Sequence, residues 1–279
     1  MELGWETGFL LGAAIAAGVI NVIAGGGGLL VFPSLLLVDI APISANATSA
    51  AGIWLGTLVS GFAYRRELQP VGHKLWPITL ITMAGSAVGA GLLLKFSDDG
   101  FAVVVPYLVA LSTLLFAVSP QLARLSLRHR TANAGDRTTD KTADKTADKT
   151  TAANFPAQST QLNQPMLLIG QGFIATYGGF FGGGAGILML TLLSLTTPGK
   201  LQTLQAIKIW MALCINAIAL AYFTVAGIIN WPYALIVAAG TSMGGYGSVA
   251  MAKRLPAVWL RRGVIAIGVS LSIYFFSRG

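Results

Sequence analysis

Seven stretches of this chain carry no charged residue: 7–38, 40–64, 75–94, 101–123, 150–199, 209–252 and 263–277. A membrane-crossing helix needs about 20 apolar residues, because a rise of 1.5 Å per residue must cover a hydrocarbon core of about 30 Å. Most of these runs are long enough. Only 10% of the 279 residues are charged and 54% are hydrophobic, whereas an ordinary soluble domain is about 25% charged. That balance excludes a soluble enzyme, a disordered chain and a nucleic-acid-binding module. The net charge of +8 does not point to nucleic acid either. Lys and Arg sit in short clusters between the apolar runs, as in a multispanning membrane protein.

Turn signals divide the runs into eight hydrophobic elements, at roughly 7–38, 44–64, 75–95, 101–119, 165–197, 203–226, 231–252 and 260–277. Trp76-Pro77 and Trp231-Pro232 open the third and seventh. Trp suits the membrane interface and Pro the first turn of a helix. The stretch from Gln121 to Gln164 breaks the pattern. There RLSLRHR is followed by TTDKTADKTADKTT, with almost no large apolar residue after Leu127. This is the composition of a spacer that is disordered or fleetingly helical. The expected organisation is an N-terminal transmembrane repeat at 1–119, a cytoplasmic low-complexity linker at 120–164 and a C-terminal transmembrane repeat at 165–279.

The two blocks are similar to each other. GVINVIAGGGGLLVF from Gly18 falls against TYGGFFGGGAGILML from Thr176. Ala45 to Ser49 falls against Leu204 to Lys208. Trp76-Pro77, with Ala84-Gly85-Ser86 and Gly89, falls against Trp231-Pro232, with Ala239-Gly240-Thr241 and Gly244. Matching segments in the same order mark an internal duplication, a frequent plan among transporters.

The glycine clusters predict a break in each repeat. A straight helix over 7–38 would be about 48 Å long, well beyond a bilayer core. Gly25 to Gly28 would each cost about 1 kcal/mol inside a helix. The expected arms are therefore 7–23 and 29–38 in the first repeat, and 165–181 and 187–197 in the second. Positive charges decide whether these broken elements cross. If all eight elements cross, Lys95, Lys200, Lys253, Arg254, Arg261 and Arg262 lie outside. If the first and fifth are re-entrant hairpins, only Lys95 and Arg278 lie outside, Lys208 lies in the membrane, and every other Lys and Arg is cytoplasmic. The positive-inside rule prefers the second arrangement. The predicted fold is thus an all-α integral membrane protein with two inverted repeats, each a re-entrant broken hairpin plus three transmembrane helices. Both termini face outside.

Such hairpins suit an anion. Helix N-termini present free N–H groups and about half a positive charge each, and no Asp or Glu falls inside a predicted span. The candidate binding residues are Gly26, Gly27, Gly28, Gly184, Ala185 and Gly186 at the breaks. Lys208 joins them as the one basic residue well inside an apolar run, and Asn46, Thr48 and Ser49 lie in the matching neighbourhood of the first repeat. Intramembrane ionisable groups mark function, although a Lys near an interface also snorkels, and hydroxyl and amide side chains also cap and join helices. Asn21, Tyr177, Gln205 and Asn216 are secondary candidates. The sequence offers no catalytic pair and no phosphate loop ending in GK[ST]. Its single Cys214 and its two histidines, His73 and His129, form no metal set, so neither a cofactor nor a metal is expected.

The segments GVINVIAGGGGLLVFPSLL at 18–36, ISANATSAAG at 43–52, GGFFGGGAGILML at 178–190, QAIK at 205–208 and the glycine-rich block at 244–248 resemble the TauE/SafE family of sulfite and organosulfonate exporters. The similarity covers nearly all of the chain outside 120–164. It implies a multi-pass transporter of small sulfur-containing anions in a bacterial inner membrane. The expected partners are a small anion, membrane lipid and a second copy of the chain in a homodimer, without nucleic acid. An uptake permease and a channel use the same features. A non-transporting membrane scaffold would need neither the repeated breaks nor the carboxylate-free interior.

Overall fold

The computed structural model describes residues 4–23, 25–69, 71–135, 164–197, 201–251 and, towards the C-terminus, 265, 266, 268–270, 272 and 273. Among the described residues all regular structure is helical. In chain order it comprises α1 (Trp5–Ile23), α2 (Gly28–Leu36), α3 (Pro42–Ala63), the short α4 (Arg65–Leu68), a 3-10 turn at Gly72–Lys74, α5 (Trp76–Leu93), α6 (Asp98–Gly135), α7 (Pro165–Phe180), α8 (Ala185–Thr196), α9 (Leu201–Val225) and α10 (Trp231–Met251). Four of these contain windows long and apolar enough to cross a bilayer: Trp5–Val22, Trp76–Leu93, Asp98–Val118 and Gln202–Val225. α3 and α10 match them in length, at 22 and 21 residues, but are richer in Gly, Ala, Ser and Thr.

The two predicted breaks are present. Element 7–38 is α1 and α2 with a turn between them, and element 165–197 is α7 and α8. One boundary moves. α6 continues to Gly135, past the expected end at 119 and into the stretch read as linker. Leu122, Ala123, Arg124, Leu125, Leu127 and Arg128 are good helix formers and carry the helix onward. The rest of the predicted linker, 136–163, lies outside the described residues, as does most of the predicted element 260–277.

Small residues dictate how the helices pack. α1 lies along α10, and α7 lies along α5, while α3 packs on α10 and α9, and α5 on α9. At the first contact, a Cβ on Gly240 would meet the Ala14 Cβ at 2.5 Å and the Leu11 carbonyl at 3.0 Å; one on Gly244 would strike the Ile15 carbonyl and one on Gly18 the Thr241 carbonyl. At the second, a Cβ on Gly85 would meet the Gly172 carbonyl at 2.7 Å and the Ala175 Cβ at 2.9 Å; one on Gly89 would strike the Thr176 carbonyl and one on Gly179 the Ser86 carbonyl. The contacts correspond one for one: Gly240 with Gly85, Gly244 with Gly89, Thr241 with Ser86, Ala14 with Ala175 and Ile15 with Thr176. Gly18 is therefore matched in packing by Gly179. The glycine clusters instead aligned it with Thr176. Alignment by glycine clusters follows the turns, whereas packing follows the helix face, and the three-residue difference falls between them.

The helix ends gather at two poles. At one, the Tyr233 hydroxyl donates to Glu6 Oε2 at 3.0 Å and the Ile43 N–H to Asp98 Oδ1 at 3.1 Å. Asp98 there offers a negative charge to the uncapped start of α3, a favourable position for a carboxylate. Ile43, Ser44, Asp98 and residues 227–232 share an open cleft at this pole. At the other pole Val71, Leu75, Leu167, Leu193 and Leu204 form one buried cluster. Glu6, in the first turn of α1, and Ile43, just after α2, thus lie at the first pole, and Leu167 of α7 and Leu193 of α8 at the second.

Candidate functional site

The tips of the two hairpins meet in the interior. Gly25 (φ +82°) turns the chain out of α1, and Gly182 (φ +79°) and Gly184 (φ +76°) turn it between α7 and α8. These are left-handed conformations that favour glycine. A Cβ on Gly25 would lie 2.6 Å from the Gly186 Cα, and a Cβ on Gly186 would lie 2.6 Å from the Gly25 Cα. Only glycine at both positions permits this backbone contact. α2 begins at Gly28 behind Gly27, and α8 at Ala185 behind Gly184, neither with a side-chain cap. In the second turn Ala185 N–H bonds Gly182 O and the Ile187 and Leu188 N–H groups bond Gly184 O, passing over the Gly186 N–H.

A cavity surrounds this meeting point. Its polar lining comes from Asn21, Asn46, Ser49, Thr57, Lys208 and Asn216, and its backbone lining from Gly25, Gly28, Gly178, Gly179, Gly182, Ala185 and Gly186. Ile53, Phe181, Met189, Ile215 and Phe223 supply apolar walls, and no Asp or Glu lines it. It offers about 60 Å³ to the centres of water-sized atoms, where one water needs about 10–15 Å³. That is room for a group of about four to six heavy atoms.

Lys208 is 2% exposed. Its Nζ donates at 3.4 Å to the carbonyls of both Asn21 and Val22. These are C-terminal carbonyls of α1, left without intrahelical partners and carrying the negative end of the helix dipole, a favourable seat for a cation. The ammonium thus ties α9 to the end of α1, and Lys208 also lines the cavity. Asn46 Nδ2 donates to the Phe180 carbonyl at 2.9 Å, and Asn216 Nδ2 to the Ala212 carbonyl at 2.9 Å. Asn21 Nδ2 donates to Thr57 Oγ1 at 3.2 Å, which itself donates to the Ile53 carbonyl at 2.7 Å.

Of the candidates read from the sequence, Gly28, Asn46, Ser49, Ala185, Gly186, Lys208, Asn21 and Asn216 line this cavity. The others lie elsewhere. Gly26 faces the Phe116 ring and Gly27 faces Ala17 and Asn21 within its own hairpin. Thr48 accepts the Asn230 N–H at 3.0 Å, joining α3 to the start of α10. Gly184 sits beside Ser112. The Tyr177 and Ser112 hydroxyls are 2.8 Å apart and both bond the Gly183 carbonyl, which fixes the second turn from behind. Gln205 is outside the lining, and its Oε1 is buried without a partner. Thr57 and Ile53 join the lining beyond the candidates from the sequence, and the helical spacing of 49, 53 and 57 puts them on one face of α3 with Ser49.

An aromatic block adjoins the cavity. The ring of Phe181, one of the cavity walls, meets that of Phe32 edge-on at 5.1 Å, and Phe32 meets Phe101 at 6.5 Å. Phe180 adds edge contacts to Phe101 at 5.8 Å and Phe96 at 5.6 Å. Phe96 and Phe101, in this block, flank Asp98 in the chain.

Residues 10–275 match the family described as Sulfite exporter TauE/SafE. The probable membrane transporter protein ORF9 of Sinorhizobium sp is 25% identical over 266 residues, which cover 95% of this chain and 90% of the relative. A probable membrane transporter protein of Haemophilus influenzae is 25% identical over 252 residues, covering 88% and 84%. The probable membrane transporter protein YfcA of Escherichia coli K12 is 28% identical over 180 residues, covering 64% and 55%. No solved structure matches the chain. The family match spans nearly the whole helical array, including both glycine turns and Lys208, and the chain belongs to the TauE/SafE family of membrane transporters.

Proposed function

We propose that this chain exports small sulfur-containing anions, sulfite or organosulfonates, across a bacterial inner membrane. The observation that carries the reading is the meeting of the two glycine turns at a buried, carboxylate-free cavity beside Lys208. α2 and α8 start there without side-chain caps, and the Gly186 N–H is left without a backbone partner, an arrangement that favours negative charge. The room in the cavity suits an anion of sulfite size better than a sugar or a nucleotide.

The one-for-one correspondence of the α1–α10 and α5–α7 contacts, and the location of the two hairpins at opposite poles, support a pair of inverted repeats. Arg65, Arg66 and Lys74 lie by the pole of the second hairpin, and Lys95 by that of the first. Under the positive-inside rule the second pole is cytoplasmic. The direct test is flux of sulfite, sulfonates, thiosulfate and sulfate in proteoliposomes of the purified protein. Saturable sulfite or sulfonate flux is the expected result. Flux of none of these anions, from correctly inserted protein, removes the reading.

A further inference from the structure

The three cavity asparagines have their orientation fixed by the protein. Asn46 and Asn216 each give Nδ2 to a backbone carbonyl, which accepts only. Asn21 gives Nδ2 to Thr57 Oγ1, whose own proton is committed to the Ile53 carbonyl, so this hydroxyl accepts as well. A flipped amide at Asn46 or Asn216 would set oxygen against oxygen, and at Asn21 it would take the Thr57 proton away from the Ile53 carbonyl. The nitrogen side of each amide is therefore turned into the protein and the oxygen side away from it. No donor among the described residues reaches these three oxygens, and none of them is a sealed, unpartnered atom of the interior. They open onto the cavity that all three residues line. The same cavity holds donors too: the Lys208 ammonium and the Gly186 N–H.

We infer that the cavity selects anions that also carry a hydrogen-bond donor, such as a hydroxyl, an ammonium or an acid proton, with the charged end towards Lys208 and Gly186 and the donor towards the amide oxygens of Asn21, Asn46 and Asn216. This rests on the anion site proposed above and narrows its ligand class. The physical reason is desolvation. A ligand without a donor strips water from three acceptors and returns nothing, and a site built to bond a hydroxyl discriminates strongly against the analogue lacking it.

The test uses isosteric pairs that exchange a hydroxyl for a methyl: glycolate against propionate, and hydroxymethanesulfonate against ethanesulfonate. Binding to the purified full-length protein is measured by titration calorimetry in mildly acidic buffer. The hydroxylated member of each pair should bind roughly 10- to 100-fold more tightly. Asn46→Leu removes one of the three acceptors and should lower that ratio several-fold; a ratio unchanged in both Asn46→Leu and Asn216→Leu overturns the inference. If Asn46→Leu loses its fold with the Phe180 contact, Asn216→Leu serves instead, because its amide bonds only its own helix. Equal binding within both pairs by the wild type overturns the donor requirement and leaves the anion site standing. Binding of none of the four overturns the anion site and this inference with it.

Discussion

Gly25 and Gly186 leave no room for a side chain, since a Cβ on either would lie 2.6 Å from the other's Cα. Gly186→Val should therefore push the hairpin tips apart and abolish flux, while surface labelling shows a normally inserted protein; normal flux would remove the tips from the pathway. Lys208→Ala loses a charged donor between α1 and α9 and should weaken anion binding about tenfold, the scale of one hydrogen bond to a charged group. Lys208→Arg should recover binding only in part, because its planar fork does not reproduce a compact ammonium. Titration of all three proteins with one sulfonate settles the order. Lys208 stood out in the sequence as a lone charge in an apolar run, and the glycine runs stood out by their cost in a helix. What the sequence hid were partners far along the chain. Nothing in QAIK names Asn21 and Val22 as acceptors, and nothing near Thr48 shows that Asn230 occupies its hydroxyl.

The two matched helix pairs differ at one buried point. In α7, Gln171 is fully buried, gives its Nε2 to Thr82 at 3.1 Å and leaves Oε1 without a partner. The one-for-one correspondence places Leu10 of α1 at the equivalent position, also buried. An orphaned buried acceptor costs about 1–3 kcal/mol. Gln171→Leu should thus stabilise the protein by about 1 kcal/mol or more, read as a raised melting temperature in detergent. A lowered melting temperature would show that Oε1 has a use in the folded protein. The breaks at the glycine clusters were legible because helix length and glycine cost both demanded them. The continuation of α6 to Gly135 is hidden by the polar composition of that stretch, whose Leu, Ala and Arg content nonetheless favours helix. The residues that follow α6 and precede α7 are still expected to act as a spacer. Deleting 138–158 should leave flux and melting temperature close to wild type, since loop-closure entropy changes slowly with length. Loss of flux from a folded deletion would give that stretch a role of its own.

At the scale of the whole molecule, orientation and driving force are linked. The proposed topology puts Thr142 and Ala257 on the cytoplasmic side and Gly227 outside. Single cysteines at these positions, in a Cys214→Ser background, should label from those sides with an impermeant reagent. Thr142 and Ala257 labelling from opposite sides would break the re-entrant arrangement. The same arrangement leaves an interior cavity with a buried cation and no carboxylate, so no carboxylate relay is there to couple the substrate to protons. A membrane negative inside drives an anion outward by about 2.3 kcal/mol per charge per 100 mV, and that drive alone supports export. Net anion movement should therefore carry current. In proteoliposomes clamped with potassium and valinomycin, efflux should rise when the lumen is made negative and fall when the sign is reversed, with no need for a proton or sodium gradient. Flux that ignores the potential would instead demand an exchanged or co-transported ion. The backbone carbonyls and amide oxygens around the glycine turns would then be the first place to seek a site for it.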